Sequence, residues 1–198
     1  PSDIREGLTR PHLLVMSAPR PGPGRWAGWK DDIRTAEVWE QAIMAGKAVS
    51  KVFLSSDHAG VELRLAVAAH LEAAGLAVED LGPDGSASVD YPDYGAKLAE
   101  AMKDDTEARG IAICGSGIGI SIAVNRFPWV RAALVSDATA ARLCREHNDA
   151  NVLALGQRLT GTAVALDCVD TFMATAFEGG RHASRVGKLS TLAGGPGN

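Results

Sequence analysis

The chain has 198 residues, of which 46% are hydrophobic, 22% charged and 5% aromatic; 20 basic and 24 acidic side chains give a formal net charge of −4. That length favours one domain with a single sizeable core, and the composition is too apolar and too weakly charged for a disordered chain. The acidic balance, with a pI near 5.7, excludes a broad nucleic-acid-binding surface but leaves room for a small anion site.

Residues 1–50 read as an extension to a domain of residues 51–198. The run Ala18-Pro-Arg-Pro-Gly-Pro-Gly24 cannot continue a helix or join a central strand, because proline lacks the N–H. Beyond it, 31–45 has helical spacing, with Ile33, Val38, Trp39, Ala42 and Ile43 on one stripe. A helix packed on the main body or on a partner subunit and a poorly ordered leader both stay open.

From Lys51 the pattern is regular. Short apolar runs predict strands at 52–55, 76–81, 110–114, 131–135 and 152–155. Amphipathic stretches between and after them predict helices at 61–74, within 90–108, from 117 to 125, at 137–146, at 162–176 and at 181–191. Leu63, Val67 and Leu71 point inward on the first helix and Leu98 and Met102 on the second, and Gly75 closes the first. Near-continuously apolar strands alternating with helices predict an α/β fold. Its form is a Rossmann-like, doubly wound three-layer sandwich on a five-stranded parallel sheet. Ligands of such sheets bind beyond the strand C-terminal ends. That places Asp57 and His58, Cys114 to Gly119, Ser136 and Asp137, and Gly156 to Arg158 on one rim.

Cys114, Cys144 and Cys168 are too widely spaced for a disulfide framework or a zinc motif, which suits a reducing, cytoplasmic compartment. No run of about 18 apolar residues suggests a transmembrane helix, and Leu13–Met16 is too short for a signal-peptide core.

Four blocks carry possible chemistry. In Cys114-Gly-Ser-Gly-Ile-Gly-Ile-Ser121 the glycines permit close backbone approach, and helix N-terminal amides favour negative charge. The glycines alternate at 115, 117 and 119 instead of following the dinucleotide fingerprint, which argues against a dinucleotide. Cys114 at this turn is a candidate nucleophile or base, with a small core cysteine as the alternative. Asp57-His58 offers an acceptor and an acid/base group, or merely a helix cap. Glu146-His147-Asn148-Asp149 places donors and acceptors at a helix end, read as a further point on the rim. Arg181 and Arg185 are four apart and could hold one phosphate.

With these blocks in order, the chain resembles the type B ribose-5-phosphate isomerase family, which includes the galactose-6-phosphate isomerase subunits. The matching segments are Ser56-Asp-His-Ala-Gly60, Asp90-Tyr-Pro-Asp-Tyr94, Ile113–Ser121, Arg145-Glu-His-Asn-Asp149, Asn151-Val-Leu-Ala-Leu-Gly156 and Phe177-Glu-Gly-Gly-Arg-His182. The resemblance covers about residues 50–190. It implies an aldose–ketose phosphate isomerase working without metal or organic cofactor, on a small phosphosugar, as a homodimer or dimer of dimers with sites at the subunit interface. Cys114 would move the proton between C2 and C1. Ser116, with the amides of Gly115, Gly117 and Gly119 and with Ser121 nearby, would face the enediolate. Asp57 would meet the sugar hydroxyls, His147 would open the furanose ring, and Tyr91 and Asn148 would line the sugar. His58, Arg158, Arg181, His182 and Arg185 would hold the phosphate; in this family the Arg/His helix commonly reaches the neighbouring subunit's site. Residues 1–50 depart from the family pattern. A ribose 5-phosphate substrate is the leading expectation. A six-carbon or rare sugar phosphate, a non-catalytic phosphosugar-binding protein and a nucleotide-binding module are the alternatives.

Overall fold

The computed structural model describes residue 49, residues 51–85 and residues 87–192. The expected linker at 18–24 and helix at 31–45 lie outside the described residues.

Among the described residues, five strands and six helices follow in this order: β1 (Val52–Ser56), α1 (Val61–Ala73), β2 (Val78–Asp80), α2 (Tyr91–Ala101), β3 (Arg109–Cys114), α3 (Ile118–Val124), β4 (Ala132–Leu134), α4 (Ala138–Asn148), β5 (Val152–Gly156), α5 (Thr162–Ala174) and α6 (Arg181–Leu192). The sheet is wholly parallel, in the order β2-β1-β3-β5-β4. The three central strands are the apolar ones, and β1 and β5 are buried at every position. The edge strands β2 and β4 have three residues each, fewer than the sequence pattern suggests, because each pairs on one side only. Helix α2 falls within the predicted window of 90–108 and ends at Ala101. Asp105 Oδ1 accepts the N–H groups of Glu107 and Ala108, a local turn that competes with the helix.

Side chains alternate across the sheet with period two. Val52, Leu54, Ile111, Ile113, Leu153 and Leu155 point to one face, where they pack against Leu63, Val67, Leu71, Val169 and Phe172. Phe53, Ala112, Cys114 and Val152 point to the other, against Leu98, Ile120 and Val124. Right-handed crossovers produce this division: α1, α4 and α5 cover the first face, α2 and α3 the second. Each fully buried Leu, Ile, Val or Phe contributes about 1.5–3 kcal/mol of transfer free energy, which makes these two layers the bulk of the stability.

One buried cation fixes the loop over the β1 end. Arg64 of α1 donates from Nε to Ser56 Oγ (3.1 Å) and from Nη2 to the Pro83 carbonyl (2.7 Å), and pairs with Asp80. The chain from β2 to α2, which leads to Tyr91, is thereby tied to the sheet. Among the described residues, no helix is long and apolar enough to cross a membrane.

Candidate active site

The turn after β3 is the centre of the first cluster. Gly117 sits at φ +76° as the N-cap of α3, a backbone conformation that L side chains rarely adopt. A Cβ there would also lie 2.5 Å from Leu134 Cδ1 and 2.8 Å from the Leu155 carbonyl carbon. The bend points the Gly117 N–H at Cys114, whose Sγ accepts it at 3.0 Å. Ser116 Oγ accepts the Ile118 N–H at 3.3 Å, so its side chain folds over the start of the helix. The turn is tied to β5 through Gln157 N–H to Cys114 O (3.0 Å) and Arg158 N–H to Gly115 O (2.9 Å).

Neighbouring loops roof this turn. The Tyr91 ring lies against Gly119, where a Cβ would come within 2.8 Å of Cζ, and the Arg158 side chain passes over Gly115. Asp57 follows β1; its N–H bonds the Ile113 carbonyl (3.1 Å), and its Oδ1 accepts the Ala59 N–H (2.9 Å). His58 is exposed and holds Val89 through Nδ1, at 3.0 Å from the carbonyl and 3.2 Å from the N–H. Cys114 is 4% and Asp57 7% exposed, whereas Tyr91 is 41% exposed. The thiol is therefore a buried group at the strand end, packed in the core layer, and the tyrosine an exposed one beside the turn. Ser121 departs from its expected place among the substrate contacts. It is buried, and its hydroxyl donates to the Ile118 carbonyl (2.7 Å) inside α3, the back-bonding usual for a mid-helix serine.

The second cluster lies elsewhere. His147 and Asn148 end α4, and Arg181, His182 and Arg185 open α6. The His147 and His182 rings stack, with centroids 4.4 Å apart and planes 5° from parallel. Glu178 Oε2 is 3.5 Å from His182 Nε2, and the Arg181 Nε–H reaches the same nitrogen at 3.4 Å. Burial, with the charges of His147 and Arg181 added, pushes the His182 imidazole below the usual histidine range, against the pull of Glu178. A cavity of about 310 Å³ opens here, lined by His147, Asn148, His182 and Arg185.

The expectation that His147 and Asn148 share the rim with Cys114 is corrected by the topology. Helix α4 returns from the C-terminal end of β4 to the N-terminal end of β5, so its last residues stand at the opposite edge of the sheet. Eleven helical residues at 1.5 Å each put about 16 Å between the two levels. The α6 cations follow, because His182 stacks on His147. One chain therefore presents two separate clusters: a thiol, a carboxylate, a hydroxyl, a phenol and Arg158 at one end, and two imidazoles and two guanidiniums at the other. Glu178 was given no role in the sequence reading, although the Glu-x-x-x-His spacing of Glu178 and His182 was visible. Arg64 gave no signal at all, since only the fold makes an arginine on an amphipathic helix a buried brace.

Comparison with known proteins follows the same boundaries. A family model described as Ribose/Galactose Isomerase matches residues 52–189. Ribose-5-phosphate isomerase B of Escherichia coli is 40% identical over 144 residues, 73% of this chain and 97% of that protein. Among solved structures, ribose-5-phosphate isomerase B of Clostridium thermocellum superposes with a TM-score of 0.70 at 51% identity, covering 72% of this chain and 96% of that one. The Mycoplasma genitalium enzyme, solved with bound ribulose-5-phosphate, gives a TM-score of 0.70 at 38% identity, covering 72% and 95%.

Proposed function

Since the chain belongs to the ribose/galactose isomerase family and is a sugar-phosphate aldose–ketose isomerase, we propose that its reaction is the interconversion of ribose 5-phosphate and ribulose 5-phosphate, with Cys114 as the base. The observation that carries this is the sulfur at the end of β3, accepting the Gly117 N–H at 3.0 Å with Ser116 and Asp57 on flanking turns. Isomerising an aldose phosphate requires a base over a carbon acid and donors aimed at the developing enediolate oxygens. Cys114 takes the proton from C2, the C–H electrons enter the enediolate, and the same proton is delivered to C1. Ser116 and the amides of the 115–119 turn hold the enediolate charge. Asp57 exchanges protons with the sugar hydroxyls, and Tyr91 packs along the sugar.

The remaining groups come from a second copy. His147 opens the furanose by moving a proton to the ring oxygen, Asn148 binds a sugar hydroxyl, and Arg181 and Arg185 hold the phosphate together with His58 and Arg158. The support is geometric: the two half-sites of one chain are about 16 Å apart along the sheet, and proton transfer works across about 3 Å. A two-fold dimer joins one end of each chain to the opposite end of the other and so forms two equal sites. Phosphate, remote from the reacting carbons, supplies the binding energy that orients them.

The test is a panel of ribose 5-phosphate, allose 6-phosphate and galactose 6-phosphate with the purified protein. Turnover is expected to be fastest on ribose 5-phosphate and to fall at least about 10³-fold in Cys114→Ala, with ribulose 5-phosphate still bound. A faster six-carbon substrate would move the assignment to that sugar. Undiminished turnover in Cys114→Ala would remove the thiol from the mechanism.

A further inference from the structure

We infer that His147, Glu178 and His182 form a binding site for a divalent transition-metal ion of the zinc class, and that an ion held there arrests the isomerase. The inhibitory half rests on the function proposed above; the binding half does not. The ligating atoms of these three side chains all lie within 4.8 Å of one another. Two imidazoles and a carboxylate around Zn²⁺, at about 2.0–2.2 Å each, hold their donor atoms about 3–3.5 Å apart. Closing the set therefore needs the donor atoms to converge by about 1–1.5 Å and the stacked rings to turn out of their parallel arrangement.

The structure makes those movements inexpensive. Glu178 is exposed and already faces His182 across 3.5 Å. The stacked rings must open so that an ion can approach both in plane, which a turn of the half-buried His147 about χ2 achieves; that torsion is broad for histidine. Arg181 has to release His182 Nε2, but its contact is long at 3.4 Å and its guanidinium is exposed. The cavity of about 310 Å³ beside the rings gives the ion a route in and leaves room for water as a fourth ligand. Two nitrogens and one oxygen are a donor set for Zn²⁺, Co²⁺, Ni²⁺ or Cu²⁺, and a poor one for Mg²⁺ or Ca²⁺.

Such an ion has no part in turnover, because Cys114 supplies the base and the 115–119 turn the enediolate donors. Its effect is to take the imidazole lone pair with which His147 moves a proton to the ring oxygen. Glu178, outside the catalytic set, is the residue that separates the two roles. The test titrates the metal-stripped full-length protein with Co²⁺, read by its visible absorption, and with Zn²⁺, read by calorimetry, while isomerase activity is followed in parallel. One ion per chain is expected, with activity falling as the site fills and returning on addition of EDTA. Glu178→Gln should weaken binding about tenfold or more, with metal-free kcat unchanged. Binding that ignores Glu178→Gln and disappears in Cys114→Ala would put the ion on the thiol and overturn the proposal, as would no binding at millimolar metal. Occupancy at Glu178 without loss of turnover would refute the inhibitory half alone. If the metal-free protein turns over no phosphosugar, the functional assignment fails, and the Co²⁺ band by itself upholds or refutes the site.

Discussion

Two inactive variants should repair each other. Cys114→Ala removes the base from one half-site and His147→Asn removes the ring-opening imidazole from the other. Within one chain these positions stand at opposite ends of the strands, about 16 Å apart by the length of α4, so in the proposed dimer each site draws one of them from each chain. Mixing the variants in equal amounts and allowing subunit exchange yields heterodimers as about half of the population. Each heterodimer has one site carrying both substitutions and one carrying neither. The mixture should therefore regain about a quarter of wild-type activity, and a heterodimer isolated with two affinity tags about half, at the wild-type KM. The assay is a coupled spectrophotometric measurement on ribose 5-phosphate before and after exchange, with exchange itself followed by native mass spectrometry. An isolated heterodimer no more active than its parents would show that Cys114 and His147 do not meet across an interface.

Other perturbations test the local physics. Gly117→Ala places a side chain at φ +76° and 2.5 Å from Leu134 Cδ1; left-handed strain and overpacking together should cost about 2–5 kcal/mol, lowering Tm by roughly 5–15 °C and kcat with it. Gly187→Ala, inside α6 with nothing within 4 Å of its added Cβ, should instead raise stability by about 0.5–1 kcal/mol. Equal melting shifts in the two variants would contradict the strain argument. Ser55 Oγ is wholly buried and has no hydrogen-bond partner among the described residues, so Ser55→Ala should leave kcat alone and leave Tm unchanged or raised, by up to the equivalent of about 1 kcal/mol; a lost kcat would give that hydroxyl a role. Burial pushes the Cys144 and Cys168 thiols up to about 11. An unfolded chain releases those protons near pH 9 and the folded chain keeps them to about 11, so stability is complete below pH 9 and declines as pH rises towards 11. The loss is at most about 3 kcal/mol per thiol. Melting curves from pH 8 to 11 should show this decline in the wild type and a weaker one in the Cys144→Ala, Cys168→Ala double variant.

The layers of this fold were legible because hydrophobic spacing is a local property. Strands such as Val152–Gly156 are apolar without interruption because both their faces are covered, and that pattern alone announces a parallel sheet. The β3 turn was legible for a related reason. Its glycines signal close approach to the backbone, and the structure adds that Gly117 bends with positive φ and that the Tyr91 ring lies against Gly119. The edge strands were overextended, since the sequence around Leu76 and Val135 does not say that pairing stops on one side. The placement of His147 was misjudged on firmer grounds. A motif at a helix terminus looks the same in sequence whether that helix has just left the ligand-binding rim or has just returned from it. Only the direction of α4, antiparallel to the strands it joins, decides.

That direction also explains why the chemistry is divided as it is. Residues that follow strands are fixed by the sheet, and the thiol, the carboxylate and the amides that must meet a reacting carbon within tenths of an ångström are of this kind. Residues that close helices lie on the far edge, where α6 packs across the end of α4 through the stacked imidazoles. Ring opening and phosphate capture tolerate looser placement, because a proton can reach a ring oxygen over a range of angles and two guanidiniums can share one phosphate. The proposed dimer, pairing a rigid half with an adaptable one, would let substrate enter before the site is complete. In the proposed dimer the phosphate is gripped by cations from both halves, His58 and Arg158 on one chain and Arg181 and Arg185 on the other. Removing both α6 arginines should therefore raise KM far more than it lowers the kcat of a saturated enzyme, and an equal fall in both parameters would show that the helix acts on the chemical step itself.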